Sequence, residues 1–223
     1  MFSYFDQCLY LSFSCSWRVR IALEMKSIPY EYHAVHLVKD GGQQHSASYK
    51  TLNPSREVPT LEIDGKILAQ SLAIIEYLEE TRPESVSGVR LLPEDAGERA
   101  NVRRVSDMIA SSIQAVQNLR VLQYVMGMYE NPEEKTKQKL EWGRHWIASG
   151  FEALETVLES TSGTYCVGDT VSMADCCLVP QVYNARRFKV DMSKFPIICR
   201  IESELAKIPA FQRAKLSVQP DAQ

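Results

Sequence analysis

Val58-Pro59-Thr60-Leu61-Glu62-Ile63-Asp64-Gly65-Lys66-Ile67-Leu68, running on into Ser71 to Glu80, is the stretch that decides the fold. Val58 to Ile63 has the composition of a strand, and Asp64-Gly65 is a strong two-residue hairpin turn into Lys66-Ile67-Leu68. From Ser71 the period changes: Leu72, Ile75 and Leu78 recur at helical spacing, and Pro83 stops the helix. Toward the N-terminus, Tyr30 to Leu37 alternates like a strand, and Ser16 to Met25 predicts an amphipathic helix through Val19, Ile21, Ala22 and Met25. Gln7 to Leu11 is short, partly apolar and strand-like. The order β-α-β-(α)-β-β-α needs a central sheet with helices packed on it, an α/β domain over residues 1–86.

Beyond Arg82 to Glu94, with two prolines and Ser87-Gly88, strand signals stop. Long helical periods follow at Ala96 to Tyr129, Glu133 to Ser160, Met173 to Arg187 and Lys194 to Ile208. Asn131-Pro132 and Ser162-Gly163 separate the first three, and Phe195-Pro196 and Ile208-Pro209 flank the last. Residues 87–223 are therefore expected to form an all-α domain.

The bulk chemistry excludes several classes. With 25 Lys+Arg against 28 Asp+Glu, the net charge of −3 argues against gripping a phosphate backbone, so no nucleic-acid partner is expected. No uncharged run approaches the ~20 residues that span a bilayer, so no membrane role is expected. Cys8 to Trp17 lacks a preceding basic region and runs at once into Arg18 and Arg20, unlike a signal peptide. The six cysteines (Cys8, Cys15, Cys166, Cys176, Cys177 and Cys199) include no CxxC pair. They are most simply free thiols of a reducing, cytoplasmic protein. His33, His36, His45 and His145 show no ligand spacing, and no metal is expected.

Three places carry candidate chemistry. In Phe13-Ser14-Cys15-Ser16-Trp17-Arg18 a hydroxyl–thiol–hydroxyl run sits where a strand turns into a helix, whose unpaired N–H groups favour an anion or a thiolate. The plainer alternative is a serine N-cap with Cys15 as a first-turn residue. Val58-Pro59 cannot donate at the proline and belongs at a sheet edge or at a site where backbone is left exposed. X-Pro bonds are also the ones commonly cis, and a cis bond here would leave the Val58 backbone free to pair with an extended peptide. Gln70-Ser71 heads a helix, where Ser71 either caps or, with the first-turn N–H groups, binds a carboxylate.

Taken together these segments resemble the glutathione site of the glutathione transferases. Ser14 to Leu23 and Gln70-Ser71-Leu72-Ala73-Ile74-Ile75-Glu76-Tyr77-Leu78 resemble the zeta class in particular. So do Lys39-Asp40 with Gly42-Gln43-Gln44, Gln117-Asn118-Leu119, and Tyr165 to Asp169 through Met173-Ala174-Asp175. The resemblance implies a thioredoxin-like N-terminal domain that binds glutathione and an all-helical C-terminal domain. It implies glutathione-dependent cis–trans isomerisation of maleylacetoacetate to fumarylacetoacetate in phenylalanine and tyrosine breakdown, transferase activity on small α-haloacids, and a homodimer.

Carried over residue by residue, Ser14, Cys15, Ser16, Trp17 and Arg18 would hold the glutathione thiol and its surroundings. Gln44 and the Val58 backbone would take the cysteinyl–glycyl portion, and Gln70 and Ser71 the γ-glutamyl end. Gln114, Asn118, Leu119 and Arg120 would reach over from the helical domain. Arg187 is the candidate for a substrate carboxylate, with an ordinary surface charge as the alternative. The sequence departs from the family at one point: where the pattern is Ser-Ser-Cys, the first position is Phe13. The strand-end string that normally leads in appears as Phe2-Ser3-Tyr4-Phe5, followed by an extra segment from Asp6 to Ser12. Either Gln7 to Leu11 is the strand or the segment is an inserted loop, and in both cases Ser12 and Ser14 are the candidate thiol-stabilising hydroxyls. Other readings are a glutathione transferase of different specificity and a glutathione-binding module with little turnover because of Phe13.

Overall fold

The computed structural model describes residues 8–11, 14–83 and 88–219. Two compact units are formed, Met1–Leu92 with Ala206–Gln223, and Pro93–Leu205.

In the first unit a four-stranded sheet has the order β2-β1-β3-β4, with β1 Cys8–Leu11, β2 Glu31–Ala34, β3 Thr60–Ile63 and β4 Lys66–Ala69. Strand β1 is parallel to β2 and antiparallel to β3, with Cys8 opposite both Glu31 and Glu62. This resolves the choice at the N-terminus: Cys8–Leu11 is a central strand. The β3–β4 hairpin turns at Asp64 and Gly65, whose φ values of 53° and 68° are the left-handed pair such a two-residue turn requires.

Helix α1 spans Ser14–Met25, starting two residues before the expected Ser16. It is not amphipathic. From Ser14 to Leu23 every residue except Cys15 is buried, Arg18 and Arg20 included. The cause is covering on several sides, since α1 packs against α3 (Ser71–Thr81), which follows the short α2 (Ala47–Leu52) in the chain, and against α9 (Pro209–Arg213) and β1. Its apolar residues Val19, Ile21 and Leu23 join Leu61, Ile63, Ile74, Ile75 and Leu78 in one core.

Two polar ties explain why this unit differs from the 1–86 expected of the sequence. Buried Lys26 pairs with Glu79 at 2.7 Å and donates to the carbonyls of Arg82 and Val89, while Glu79 accepts from the Leu91 N–H at 3.0 Å. The chain is thereby held past α3 as far as Leu92. Arg20 Nε donates to the Ala214 carbonyl at 3.1 Å and Arg213 pairs with Glu24 at 2.6 Å, which brings the C-terminal segment into the first unit. The boundary expected at 86/87 had given that segment to the helical domain.

The second unit is helical: α4 Ala96–Asp107, α5 Leu119–Gly127, α6 Pro132–Thr161, α7 Met173–Arg187 and α8 Pro196–Leu205. The single period expected over Ala96 to Tyr129 is broken. After α4 come a π-helical turn at Met108–Gln114 and a 3₁₀ turn at Ala115–Gln117. Asn118 then takes an extended conformation and its side-chain oxygen accepts from Val121 N–H, starting α5 afresh. From α6, Trp142 Nε1 donates to the freed Val116 carbonyl at 2.7 Å. Glycine allows the close packing here: a Cβ at Gly150 would lie 2.4 Å from Ile113 Cγ1. Among the described residues, no helix is long and apolar enough to cross a membrane.

Candidate functional site

Within the first unit the structure joins two of the segments singled out in the sequence. Arg18, one turn into α1 and 1% exposed, reaches the head of α3, where Nη1 donates to Ser71 Oγ at 3.3 Å. Ser71 is the first helical residue rather than the cap. The cap position belongs to Gln70, whose side chain makes no capping bond and whose φ of 71° lies in the left-handed region that disfavours a residue with a side chain. Such a conformation costs on the order of 1–3 kcal/mol and marks positions where the backbone is held for use.

At the head of α1, Ser14 and Ser16 are buried and Cys15 between them is half-buried, with a free thiol. The first turn carries no acidic side chain. Its N–H groups and their partial positive charge therefore face no carboxylate from within that turn. Trp17 is buried beside them. Ser12 and Phe13, on which the choice of hydroxyl turns, lie outside the described residues.

The Val58–Pro59 peptide is cis. Half-buried Val58 leads into β3 from a loop anchored by residues absent from the sequence-derived site. Glu57 accepts at its carbonyl from the Tyr49 hydroxyl and the Asn53 amide, both at 2.8 Å, and Asn53 Nδ2 also donates to Thr60 Oγ1 at 3.2 Å. Burial raises the Tyr49 phenol above its ordinary value, while its bonds with Thr60 and Asn53 pull the other way. The signal available in the sequence was Asn53-Pro54, a turn opener that also fastens the loop.

Gln44 is buried in the 3₁₀ turn Gln43–His45. Its Nε2 donates to the Leu37 carbonyl at 3.2 Å, and its Oε1 has no partner among the described residues. Gly42 makes room for it: φ is 96°, and a Cβ there would sit 2.6 Å from the Gln44 amide.

The remaining candidates belong to the second unit. Gln114 ends the π-helical turn and is half-buried. Asn118 spends its side-chain oxygen on the α5 cap, Leu119 is half-buried and Arg120 is exposed. Arg187 is exposed in the last turn of α7, its guanidinium carbon 5.9 Å from the centre of the Tyr183 ring. The structure also shows a pair missed in the sequence: buried Gln117 donates through Nε2 to Gln181 Oε1 at 3.2 Å.

The chain that sets a thiol and hydroxyls at one helix head, and ties it by a buried arginine to a serine at another, is similar to known proteins over more than nine-tenths of its length. Residues 13–81 match the glutathione S-transferase N-terminal domain and residues 119–209 the C-terminal domain. The chain is 53% identical over 212 residues to the maleylacetoacetate isomerase of Mus musculus, covering 95% of this chain and 92% of that protein. It is 53% identical over 208 residues to a probable maleylacetoacetate isomerase of Drosophila melanogaster, covering 93% and 86%. Among solved structures, a bacterial zeta-class maleyl pyruvate isomerase superposes with a TM-score of 0.88 at 39% identity, over 97% of this chain and 100% of that one. The Anaeromyxobacter dehalogenans maleylacetoacetate isomerase with glutathione in its active site gives 0.83 at 40%, over 98% of both chains. Matches in both halves, at identities this high over nine-tenths of the sequence, place the chain in the glutathione S-transferase family, among its zeta-class maleylacetoacetate isomerases.

Proposed function

We propose that this protein is a glutathione-dependent isomerase that converts maleylacetoacetate to fumarylacetoacetate, with glutathione as a cofactor that is not consumed. The observation that carries the reading is the tie between Arg18 and Ser71, which couples a thiol-favouring helix head to a carboxylate-favouring one. The residues present suit glutathione. Its charged carboxylate matches the buried Arg18, whose Nε and Nη2 have no partner among the described residues, and its peptide amides match the Gln44 oxygen, which likewise has none among them.

When bound, glutathione supplies a thiolate that adds to the cis double bond and leaves after rotation about the resulting single bond. The protein's part is to favour the charged sulfur and to hold both acidic ends. A free thiol has a pKa of about 8.5. One hydrogen bond to a charged sulfur contributes roughly 1.5–3 kcal/mol, and the helix end about 0.3–2. Together they suffice to lower that pKa by one to two units (about 1.4 kcal/mol each). We assign the hydroxyl to Ser14, with Ser12 as the alternative, and Cys15 as a second thiol at the same helix head. Ser16 and Trp17 pack that end of the site. The Val58 backbone and Gln44 take the cysteinyl–glycyl portion and Gln70 and Ser71 the γ-glutamyl end; Gln114, Asn118, Leu119 and Arg120 are assigned to glutathione on the resemblance alone.

Arg187 is assigned to a substrate carboxylate, for which a forked guanidinium is suited. Arg187→Ala should raise KM for the dicarboxylate about three- to tenfold, with KM for glutathione unchanged. A dicarboxylate KM unchanged in Arg187→Ala would return Arg187 to an ordinary surface charge. The same thiolate chemistry extends to displacement of halide from small α-haloacids. Homodimeric assembly in the cytoplasm rests on the resemblance and on the free-thiol cysteine pattern, and sedimentation of the purified protein tests the assembly.

The deciding experiment applies the protein to glutathione resin and then assays maleylacetoacetate isomerisation and dichloroacetate conversion with and without glutathione. Isomerisation that needs glutathione, at glutathione well below substrate and with none consumed, is expected. Retention on the resin with neither activity would make the protein a binding module. Haloacid conversion without isomerisation would make it a transferase of other specificity.

A further inference from the structure

Thr60 opens β3 and stands opposite Tyr10 and Ala69, so Val58 and Pro59 lie beyond the last of these sheet pairings. The chain there is held by a closed ring of hydrogen bonds among buried Tyr49, Asn53 and Thr60 and the Glu57 carbonyl. The Tyr49 hydroxyl donates to that carbonyl at 2.8 Å, so its 3.0 Å contact with Thr60 Oγ1 takes the Thr60 proton. The Asn53 amide spends one hydrogen on the same carbonyl at 2.8 Å and the other on Thr60 Oγ1 at 3.2 Å. Its oxygen accepts from the Ser55 N–H at 3.0 Å. Every donor hydrogen of the three side chains is thereby matched, and the ring clamps the chain on both sides of Val58 without including it. Tyr49 belongs to α2 and Asn53 caps its C-terminus, while Ser46 caps its N-terminus and donates its own N–H to the Gln43 carbonyl at 3.0 Å. Gln44, α2 and the Val58 loop are therefore one hydrogen-bonded body.

We propose that Tyr49, Asn53 and Thr60 are positioning residues for the cofactor: their ring fixes the Val58 backbone, and its place relative to Gln44, before the ligand arrives. The proposal rests on glutathione as the ligand, and none of the three residues has to touch it. A loop ordered in advance spares the binding step the conformational entropy of ordering it. Burial holds the Tyr49 phenol above its ordinary value, so the proton it gives to Glu57 is kept. A buried polar network acts as a unit, because removing one member leaves the others short of partners. Affinity for glutathione should therefore follow the hydroxyl groups of the ring, whereas stability also follows buried apolar volume.

Thr60 separates the two properties. Thr60→Val keeps the shape and loses the hydroxyl, and Thr60→Ser keeps the hydroxyl and loses a methyl group. Glutathione binding is measured by titration calorimetry and steady-state kinetics on the intact protein, beside a melting curve for each variant. Thr60→Val should weaken glutathione about three- to tenfold, with the loss in KM for glutathione rather than in kcat or in KM for the dicarboxylate. Thr60→Ser should recover most of that affinity although it melts below the unaltered protein. Tyr49→Phe should weaken glutathione as Thr60→Val does, and the double variant little more than either, since both open the same ring. Undiminished affinity in Thr60→Val, a loss in Thr60→Ser as large as in Thr60→Val, or additive losses in the double variant would each overturn the proposal. Should Thr60→Val fail to melt cooperatively, Tyr49→Phe carries the test, and undiminished affinity in it overturns the proposal equally. If the unaltered protein binds no glutathione, the reading of the ligand falls and takes the proposal with it. Failure of the variants in a protein that does bind glutathione refutes the ring alone.

Discussion

Two helix heads in this chain are built from the same materials and do opposite things. The head of α1 sets Cys15 between Ser14 and Ser16; the head of α7 sets Ser172 and buried Asp175 against buried Cys166. At α7 the protein provides its own acceptor. Asp175 accepts through Oδ1 from the Cys166 N–H at 2.9 Å and through Oδ2 from the Ser172 N–H and hydroxyl at 2.8 and 2.9 Å. The Cys166 thiol there is held away from the charged form: burial pushes it well above its ordinary value, and the Asp175 carboxylate pushes it further. At α1 no acidic residue stands in the first turn and the thiol is half-buried. Hydroxyls and thiols at a helix head thus do not by themselves make a site. Whether the fold supplies the anion decides between a capped joint and a place for a ligand.

The sharpest way to break this contrast is to open the closed end. Asp175→Ala would orphan three buried donors, and should cost about 3 kcal/mol or more, read as a fall in the denaturant midpoint. A loss below about 1 kcal/mol would show that the network is not what closes the joint. Asp175→Asn separates charge from shape. Burial holds the Asp175 carboxyl above its ordinary value, so in the folded state it keeps its proton to higher pH than in the unfolded chain. Its contribution is therefore greatest below the ordinary carboxyl range and declines as pH rises through the raised value. The stability margin of the unaltered protein over Asp175→Asn should accordingly shrink as pH rises from that range toward neutrality. A margin that grew would mean that the hydrogen bonds outweigh burial.

Thiol chemistry reads the same contrast at the next level. In the native protein, iodoacetamide should modify Cys15 at least about fiftyfold faster than Cys166, Cys176 or Cys177, which need local opening to react. Glutathione disulfide should place its adduct on Cys15 as well, and mass spectrometry locates both. Labelling of Cys166 at a comparable rate would erase the distinction. An absent glutathione adduct on Cys15 would remove it as a second catalytic candidate and leave the hydroxyls.

The sequence made one of these heads legible and only half of the other. Helix α7 runs from Met173 to Arg187 as its period predicts, and the return bond from Asp175 to the Ser172 N–H follows from their three-residue spacing. The β3–β4 hairpin was equally legible, since Asp64-Gly65 carries its geometry in two residues. What failed to show was whatever depends on distant chain. Arg18 meets Ser71 53 positions away and Arg20 meets Ala214 194 positions away, so a helix that looks amphipathic is buried nearly all round. The break after Asp107 escaped for a related reason. Its period continues in sequence, while Asn118 caps a new helix and Trp142 from α6 takes the Val116 carbonyl.

The smallest expected effect falls on the open end itself. If α1 presents Ser14 to a thiolate, Ser14→Ala should lower kcat/KM for isomerisation by about tenfold, the kinetic equivalent of 1.4 kcal/mol. The figure stays modest because the helix end keeps its own share of the stabilisation when the hydroxyl is gone. Stability should change less than for Asp175, because one hydroxyl is removed and three donors are not orphaned. Ser12→Ala is the paired measurement, since Phe13 stands where the family pattern has a serine. If Ser12→Ala slows the enzyme and Ser14→Ala does not, the hydroxyl comes from the residue before Phe13 and not from α1. If both are silent, Cys15 is the group left to test. The half-buried thiol distinguishes this helix head from that of α7, where Cys166, Cys176 and Cys177 are buried.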